Sequence, residues 1–208
     1  MQFANKTDVF NLTVLSLGQT APIINADSDT TIQAKILRQW YPFALNKTLD
    51  RTEWRCWRKS AELSLLEEDY SETWLYRYEL PADCHTLLKL GIENYFPLVD
   101  ERAERKIPFE LLFNGASVNI LTNLPQAWGS YTAQPSPNTG MPLYFAETVS
   151  LILAESAAPA LITNNWVKMK EAFLKDARQR ISQLIATDLG QQPERRAPLS
   201  SFADARKD

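Results

Sequence analysis

The sequence predicts an α+β protein, mainly helical: a four-helix bundle with an antiparallel β-sheet or hairpin inserted between helices 2 and 3, and an extended C-terminal arm. Apolar residues recur at helical spacing towards both ends of the chain and alternate with polar ones through the middle, while the stretch from Gly190 onward has neither period. The expected organisation is residues 1–53 for helices 1 and 2, 54–140 for the β insert, 141–189 for helices 3 and 4, and 190–208 for the arm.

Val9, Phe10, Val14 and Leu17 fall at helical spacing, with Asn5 or Thr7 available as a cap and Gly18 as a stop. In the second helix, Asp27-Ser28-Asp29 offers side-chain oxygens to the free amides of the first turn, and Ile32, Ile36, Trp40 and Phe43 share one face. Pro42 lacks an amide for the Arg38 carbonyl, so a kink is expected there before the helix ends near Asp50.

After Trp54-Arg55-Cys56-Trp57 the period becomes two. Ala61, Leu63 and Leu65 alternate with Glu62 and Ser64, and Trp74 to Leu80 alternates aromatic with polar residues as a half-buried antiparallel strand does, ending at Pro81. Thr86 to Leu90 is a third apolar run, and the mixed charges of Asp100 to Lys106 read as a solvated loop. Pro108 to Phe113 and Ser117 to Leu121 flank Asn114-Gly115, whose two residues suit the positive φ angles of a type I′ hairpin turn. From Leu124 to Gly140 the Pro, Ser, Gly and Asn content predicts an irregular crossing back to helix.

Pro142 suits the first turn of a third helix, in which Phe145, Val149, Ile152 and Leu153 mix with Ala146, Ala154, Ala157 and Ala158 and so permit close packing. Asn164 or Asn165 caps a fourth, with Trp166, Met169, Phe173, Ala177, Ile181 and Leu184 as its apolar stripe. Beyond Gly190 two prolines and no period predict a segment that orders only on a partner.

Composition narrows the function. With 22 Lys plus Arg against 25 Asp plus Glu there is no basic surplus to recruit nucleic acid. The N-terminal residues lack the pattern of a signal peptide and no apolar run approaches a membrane span, so a soluble, unsecreted protein without a membrane partner is expected, and the sequons at Asn5, Asn11 and Asn46 are not read as glycosylation sites. Cys56, Cys84 and the single histidine, His85, are too few for a disulfide framework or a metal site, and the six glycines form no phosphate-binding loop. No enzyme, no cofactor and no metal is expected. Cys84 beside His85 is the best nucleophile–base candidate, but neighbouring strand residues face opposite ways. Glu67, Glu68, Asp69 and Glu72 lack the spacing of a calcium loop. Trp54, Trp57, Trp74, Tyr76 and Tyr78 among Arg51, Arg55, Arg58, Lys59 and Arg77 suit core and cation–π packing better than the alternative, stacking of single-stranded bases.

The order of these signals resembles the head-to-tail connector adaptor, or gatekeeper, family of tailed phages, the tail tubular protein A-like proteins. The resemblance rests on Leu15-Ser16-Leu17-Gly18, the Asp27-to-Leu49 helix, and the Trp54-centred crossing into Arg58-Lys59-Ser60-Ala61-Glu62-Leu63. It rests most specifically on Trp74-Leu75-Tyr76-Arg77-Tyr78-Glu79-Leu80-Pro81-Ala82-Asp83-Cys84, and then on Pro142-Leu143-Tyr144-Phe145, Leu153-Ala154-Glu155-Ser156-Ala157 and the Trp166-to-Leu184 helix. The chain departs from the family where Trp54-Arg55-Cys56-Trp57 replaces Trp-Asn-Phe-Ala, and in a long loop from Glu93 to Lys106.

The resemblance implies a structural virion neck protein, assembled in the host bacterial cytoplasm, that docks on the portal protein, extends the DNA channel and supplies the platform for the tail or next neck protein. It implies a ring, dodecameric, of copies of the chain, with genomic double-stranded DNA passing through without sequence-specific binding. The portal-binding arm would use Pro193, Arg195, Arg196, Pro198, Leu199 and Phe202, and the hairpin tip at Asn114 and Gly115 would make a further contact. Carboxylates of the sheet or helix ends are expected to face the channel, where few unpaired cations let DNA slide. A different neck position, such as a tail-completion subunit, is the near alternative, and a single-stranded nucleic-acid module the more distant one.

Overall fold

The computed structural model describes residues 3–92, 107–115, 117–136, 139–162 and 166–190. Four α-helices, α1 (Lys6–Ser16), α2 (Ile32–Leu49), α3 (Leu143–Leu161) and α4 (Trp166–Gly190), pack around α3. The first begins where Asn5 and Asp8 satisfy each other reciprocally: the Asp8 amide donates to the Asn5 side chain at 3.0 Å and the Asn5 amide to the Asp8 carboxylate at 2.8 Å. It stops at Gly18, whose φ of +71° suits a residue without a Cβ.

The cap of α2 is Thr31, whose hydroxyl accepts the Ala34 amide, while Asp29 accepts the Thr31 amide and orders the preceding turn. The helix runs through Pro42 to Leu49. The face shared by Ile32, Trp40 and Phe43 is its outer one. Ala34, Leu37, Ala44, Leu45, Thr48 and Leu49 face the core, and Ile32, Trp40 and Phe43 are exposed. That core-facing side packs on α3, where Ala146 and Ala157 are fully buried in the same cluster, while Ala154 and Ala158 are buried with Leu17. Phe10, Leu37, Trp54, Phe145, Val149 and Ile152 fill the helical core, each contributing roughly 1.5–3 kcal/mol by burial. In α4, Ala177 and Ile181 are buried as the stripe predicts.

The strands, nine among the described residues, overturn the expectation of a mainly helical four-helix bundle: the chain is mixed α+β with three antiparallel sheets. β1 (Phe3–Ala4) pairs with β9 (Met141–Pro142) against the start of α3. β2 (Arg58–Glu62), β8 (Trp128–Ala133) and β5 (Cys84–Gly91) form a sheet in that order. β3 (Leu65–Glu68), β4 (Tyr76–Glu79), β7 (Ser117–Thr122) and β6 (Glu110–Asn114) form the other. The segment predicted as an irregular crossing thus contains the central strand of a sheet. It escapes pattern reading because its middle, Gly129-Ser130, is small and polar between flanking strands.

Side chains of both larger sheets share one core of Leu63, Tyr78, Leu87, Leu90, Ile120 and Tyr131. Gly129 lies close beneath this core: a Cβ would stand 3.1 Å from Leu63 Cδ2 and 3.2 Å from Leu87 Cδ1, so both leucine ends would have to give way to admit one. The β6–β7 hairpin is present, shifted by one residue from the expected turn. Asn114 is the last residue of β6, paired with Ser117, and Gly115, at φ +62°, opens the two-residue loop. The predicted loop from Asp100 to Lys106 and the caps Asn164 and Asn165 lie outside the described residues.

Candidate functional site

Three of the segments that carry the sequence resemblance, the end of the Asp27-to-Leu49 helix, the Trp54-centred crossing and Tyr144-Phe145, meet where the helices join the sheets. Trp54 is fully buried and its indole N–H donates to the Thr48 carbonyl at 2.7 Å. Its ring stacks on Tyr144, centroids 6.4 Å apart, and meets Phe145 edge to face at 4.9 Å, and Trp57 packs on the same phenylalanine at 5.6 Å. These two tryptophans belong to the core, as the packing reading of the aromatic segment has it. Three of its cations are in ion pairs: Arg58 with Glu53 at 2.8 Å, Lys59 with Asp83 at 2.6 Å, and Arg77 with Glu67 at 3.1 Å.

Arg55–Trp57 forms a single 3-10 turn whose leading amides need acceptors. Asp188, fully buried near the end of α4, supplies them: Oδ2 accepts the Arg55 amide at 2.8 Å and Oδ1 the Cys56 amide at 3.4 Å. The Tyr144 hydroxyl donates to the same carboxylate at 2.9 Å. Burial pushes the Cys56 thiol up to about 12, with the Asp188 charge adding to the effect against a lowering hydrogen bond to Tyr144. Tyr144 is also raised, chiefly by burial. Pattern reading missed Asp188 because a carboxylate ordinarily marks the wet side of a helix. Its spacing from Ala177 and Ile181, which continues the apolar stripe, is the signal that locates it.

A second tie joins β2 to the turn just before β5. Asp83 accepts from Lys59 and, at 2.9 Å, from the Tyr131 hydroxyl, and these partners, Lys59 first, hold its carboxyl below the usual carboxylate range. Cys84 is raised to about 11 by burial and by the adjacent Asp83 charge. His85 sits at an irregularity in the β5–β8 register and its Nε2 lies 2.8 Å from Asp50 Oδ1, tying the end of α2 to the sheet. Neither cysteine is thus held as a thiolate, the form a nucleophile needs. Among the described residues no three His, Cys, Asp or Glu side chains are grouped to hold a metal ion, and no helix is long and apolar enough to cross a membrane.

The hairpin tip, Asn114 and Gly115, carries the 75% exposed Phe113 beside it. The predicted arm contacts, Pro193, Arg195, Arg196, Pro198, Leu199 and Phe202, lie outside the described residues. Asp188 anchors the helix from which that segment departs. No protein-family model matches the chain, and no curated protein matches it.

Proposed function

We propose that this chain is a structural neck protein of a tailed-phage virion: a ring-forming head-to-tail adaptor that docks on the portal, extends the DNA channel and carries the tail. The observation that supports the reading is the convergence of its motif segments. The Trp54 crossing, Tyr144-Phe145 and the end of the long fourth helix interlock through Asp188, and Lys59 meets Asp83 of the Leu-Pro-x-Asp-Cys run. Of these, Trp54, Lys59, Asp83, Tyr144 and Phe145 lie in the segments quoted for the resemblance, and in this reading their contacts form the frame of the adaptor.

In this reading the helices and sheets form a rigid body, and residues 190–208 order on the portal, coupling folding to docking. The experiment is the mass of the protein by light scattering, alone and mixed with a cognate portal. A ring-sized increment on the portal supports the proposal, and no association by the folded full chain refutes it. Deletion after Gly190 should leave the core folded and weaken portal binding, whereas unchanged binding refutes the arm. A tail-completion subunit would bind the preformed neck in place of the bare portal.

A further inference from the structure

Along α1 the helical body carries an open apolar trough. Two hollows of about 490 and 260 Å³ adjoin there and share Leu12 and Leu15. The first is bounded by Phe3 and by Leu143 at the head of α3, the second by Leu151 and by Asp176 and Arg180 of α4. Phe3 is 64% exposed and Leu15 63%, so the described chain leaves this apolar lining uncovered. Its carboxylates outnumber its cations. Arg180 is taken by Glu147 at 3.3 Å, Asp8 accepts the Asn5 amide and meets no cation, and Asp176 has no partner, among the described residues. The trough begins where α4 ends: Leu143 is followed by Tyr144, whose hydroxyl meets Asp188 at 2.9 Å, so the chain leaves Gly190 at the end of the bundle where the first hollow opens.

We infer that, in the protein alone, residues 193–202 fold back into this trough, with Leu199 and Phe202 in its two hollows and Arg195-Arg196 towards Asp8. Reach allows it. Leu199 stands nine residues past Gly190, up to roughly 30 Å of extended chain, whereas the trough runs back along α4 only to Asp176, fourteen residues or about 21 Å of helix. Charge favours the same occupant: the segment sets Arg195 and Arg196 against Glu194, and the trough sets Asp8, Glu147 and Asp176 against Arg180. A short tether gives an effective concentration near millimolar, so an affinity of only about 0.1 mM would keep the segment seated about nine-tenths of the time. The seating itself does not depend on the adaptor reading. Its meaning does: a portal that uses the arm would first have to draw it out, which makes the contact autoinhibitory.

Trypsin cleavage after Arg195 and Arg196 reads the seating. In the full chain it should be about tenfold slower than in a free peptide of residues 191–204, because cleavage follows the open fraction, and the rate should not change with protein concentration. Leu15→Glu in the trough and Phe202→Ser in the segment should each restore the rate of the peptide, and the double variant should be no faster than either. Leu15 is exposed enough for the fold to survive its substitution, which an unchanged unfolding midpoint verifies, and Phe3→Glu gives a second variant of the trough. A full chain cut as fast as the peptide, or variants that stay protected, overturns the inference. Protection that rises with concentration also overturns it, by giving the trough to the segment of a second copy. Mixing with a cognate portal separates the two readings. An unprotected segment with portal binding intact removes the seating and leaves the adaptor reading standing. A segment that the trough variants release, in a chain with no affinity for a portal, does the reverse.

Discussion

The Tyr144 hydroxyl donates to the Asp188 carboxylate at 2.9 Å, so that the first turn of α3 and the last of α4 are joined through a charge with no exposure to water. The same carboxylate takes the Arg55 amide at 2.8 Å. One side chain therefore fixes two helices and the entry to the sheets.

Asp188→Ala leaves those buried donors without an acceptor and should lower stability by about 2–3 kcal/mol. Urea denaturation should show an earlier midpoint with an unchanged slope. Tyr144→Phe removes one donor and should cost about 1 kcal/mol, and in the double variant its effect should shrink, because the two groups act as a unit.

Thiol chemistry tests the burial of the cysteines. With Cys56 at about 12 and Cys84 at about 11, against roughly 8.5 for a free cysteine, little thiolate exists at neutral pH. Alkylation of the native protein near pH 8 should be more than about a hundredfold slower than in urea, where both become ordinary thiols. Equal rates in the two conditions would contradict the packing around Arg55–Trp57 and β5.

Gly129 lies under Leu63 and Leu87 at distances a methyl group can occupy only if both side chains yield. Gly129→Ala should destabilise the protein by about 1–2 kcal/mol, read as a lower thermal midpoint. A neutral or stabilising effect would mean that the two leucines repack freely.

The Asp83 carboxyl is lowered in the folded protein, so its contribution is fully present above the unfolded value of about 3.9 and disappears as pH falls through the folded one. The group is 40% exposed, which places the ion pair with Lys59 at the weak end. Asp83→Asn should therefore cost about 0.5–1 kcal/mol at neutral pH, and the difference from the unsubstituted protein should vanish once pH falls below the folded value. A gap that persists in acid would assign the effect to the Tyr131 hydrogen bond alone.

Much of the helical part was legible in residues that act locally. Asn5, Asp8 and Gly18 bound α1 through contacts within a few residues, and the alanines of α3 announce close packing wherever the partner comes from. Ile32, Trp40 and Phe43 mark a genuine face of α2, but periodicity reveals only that a face exists and not whether the chain itself covers it. β8 was illegible because a strand paired on both sides draws its order from β2 and β5 and can use Gly129 and Ser130 at its centre. Asn114-Gly115 marks the hairpin, and the ladder, set by Asn114 opposite Ser117, places the turn one residue later. Asp188 was hidden because its acceptors' partners are amides from the other half of the chain.

The two ends of the sheet-forming region come back to one spot: Trp54, just before β2, touches Phe145, just after β9. The pair of sheets is thus a guest whose entrance and exit share a doorway in the helical host. Closing so long an excursion costs loop entropy that grows only slowly with its length, so the guest can gain or lose residues with little penalty to the host. Contacts between α1 or α2 and α3 span this whole excursion, so they raise the contact order and slow folding relative to a bundle of neighbouring helices.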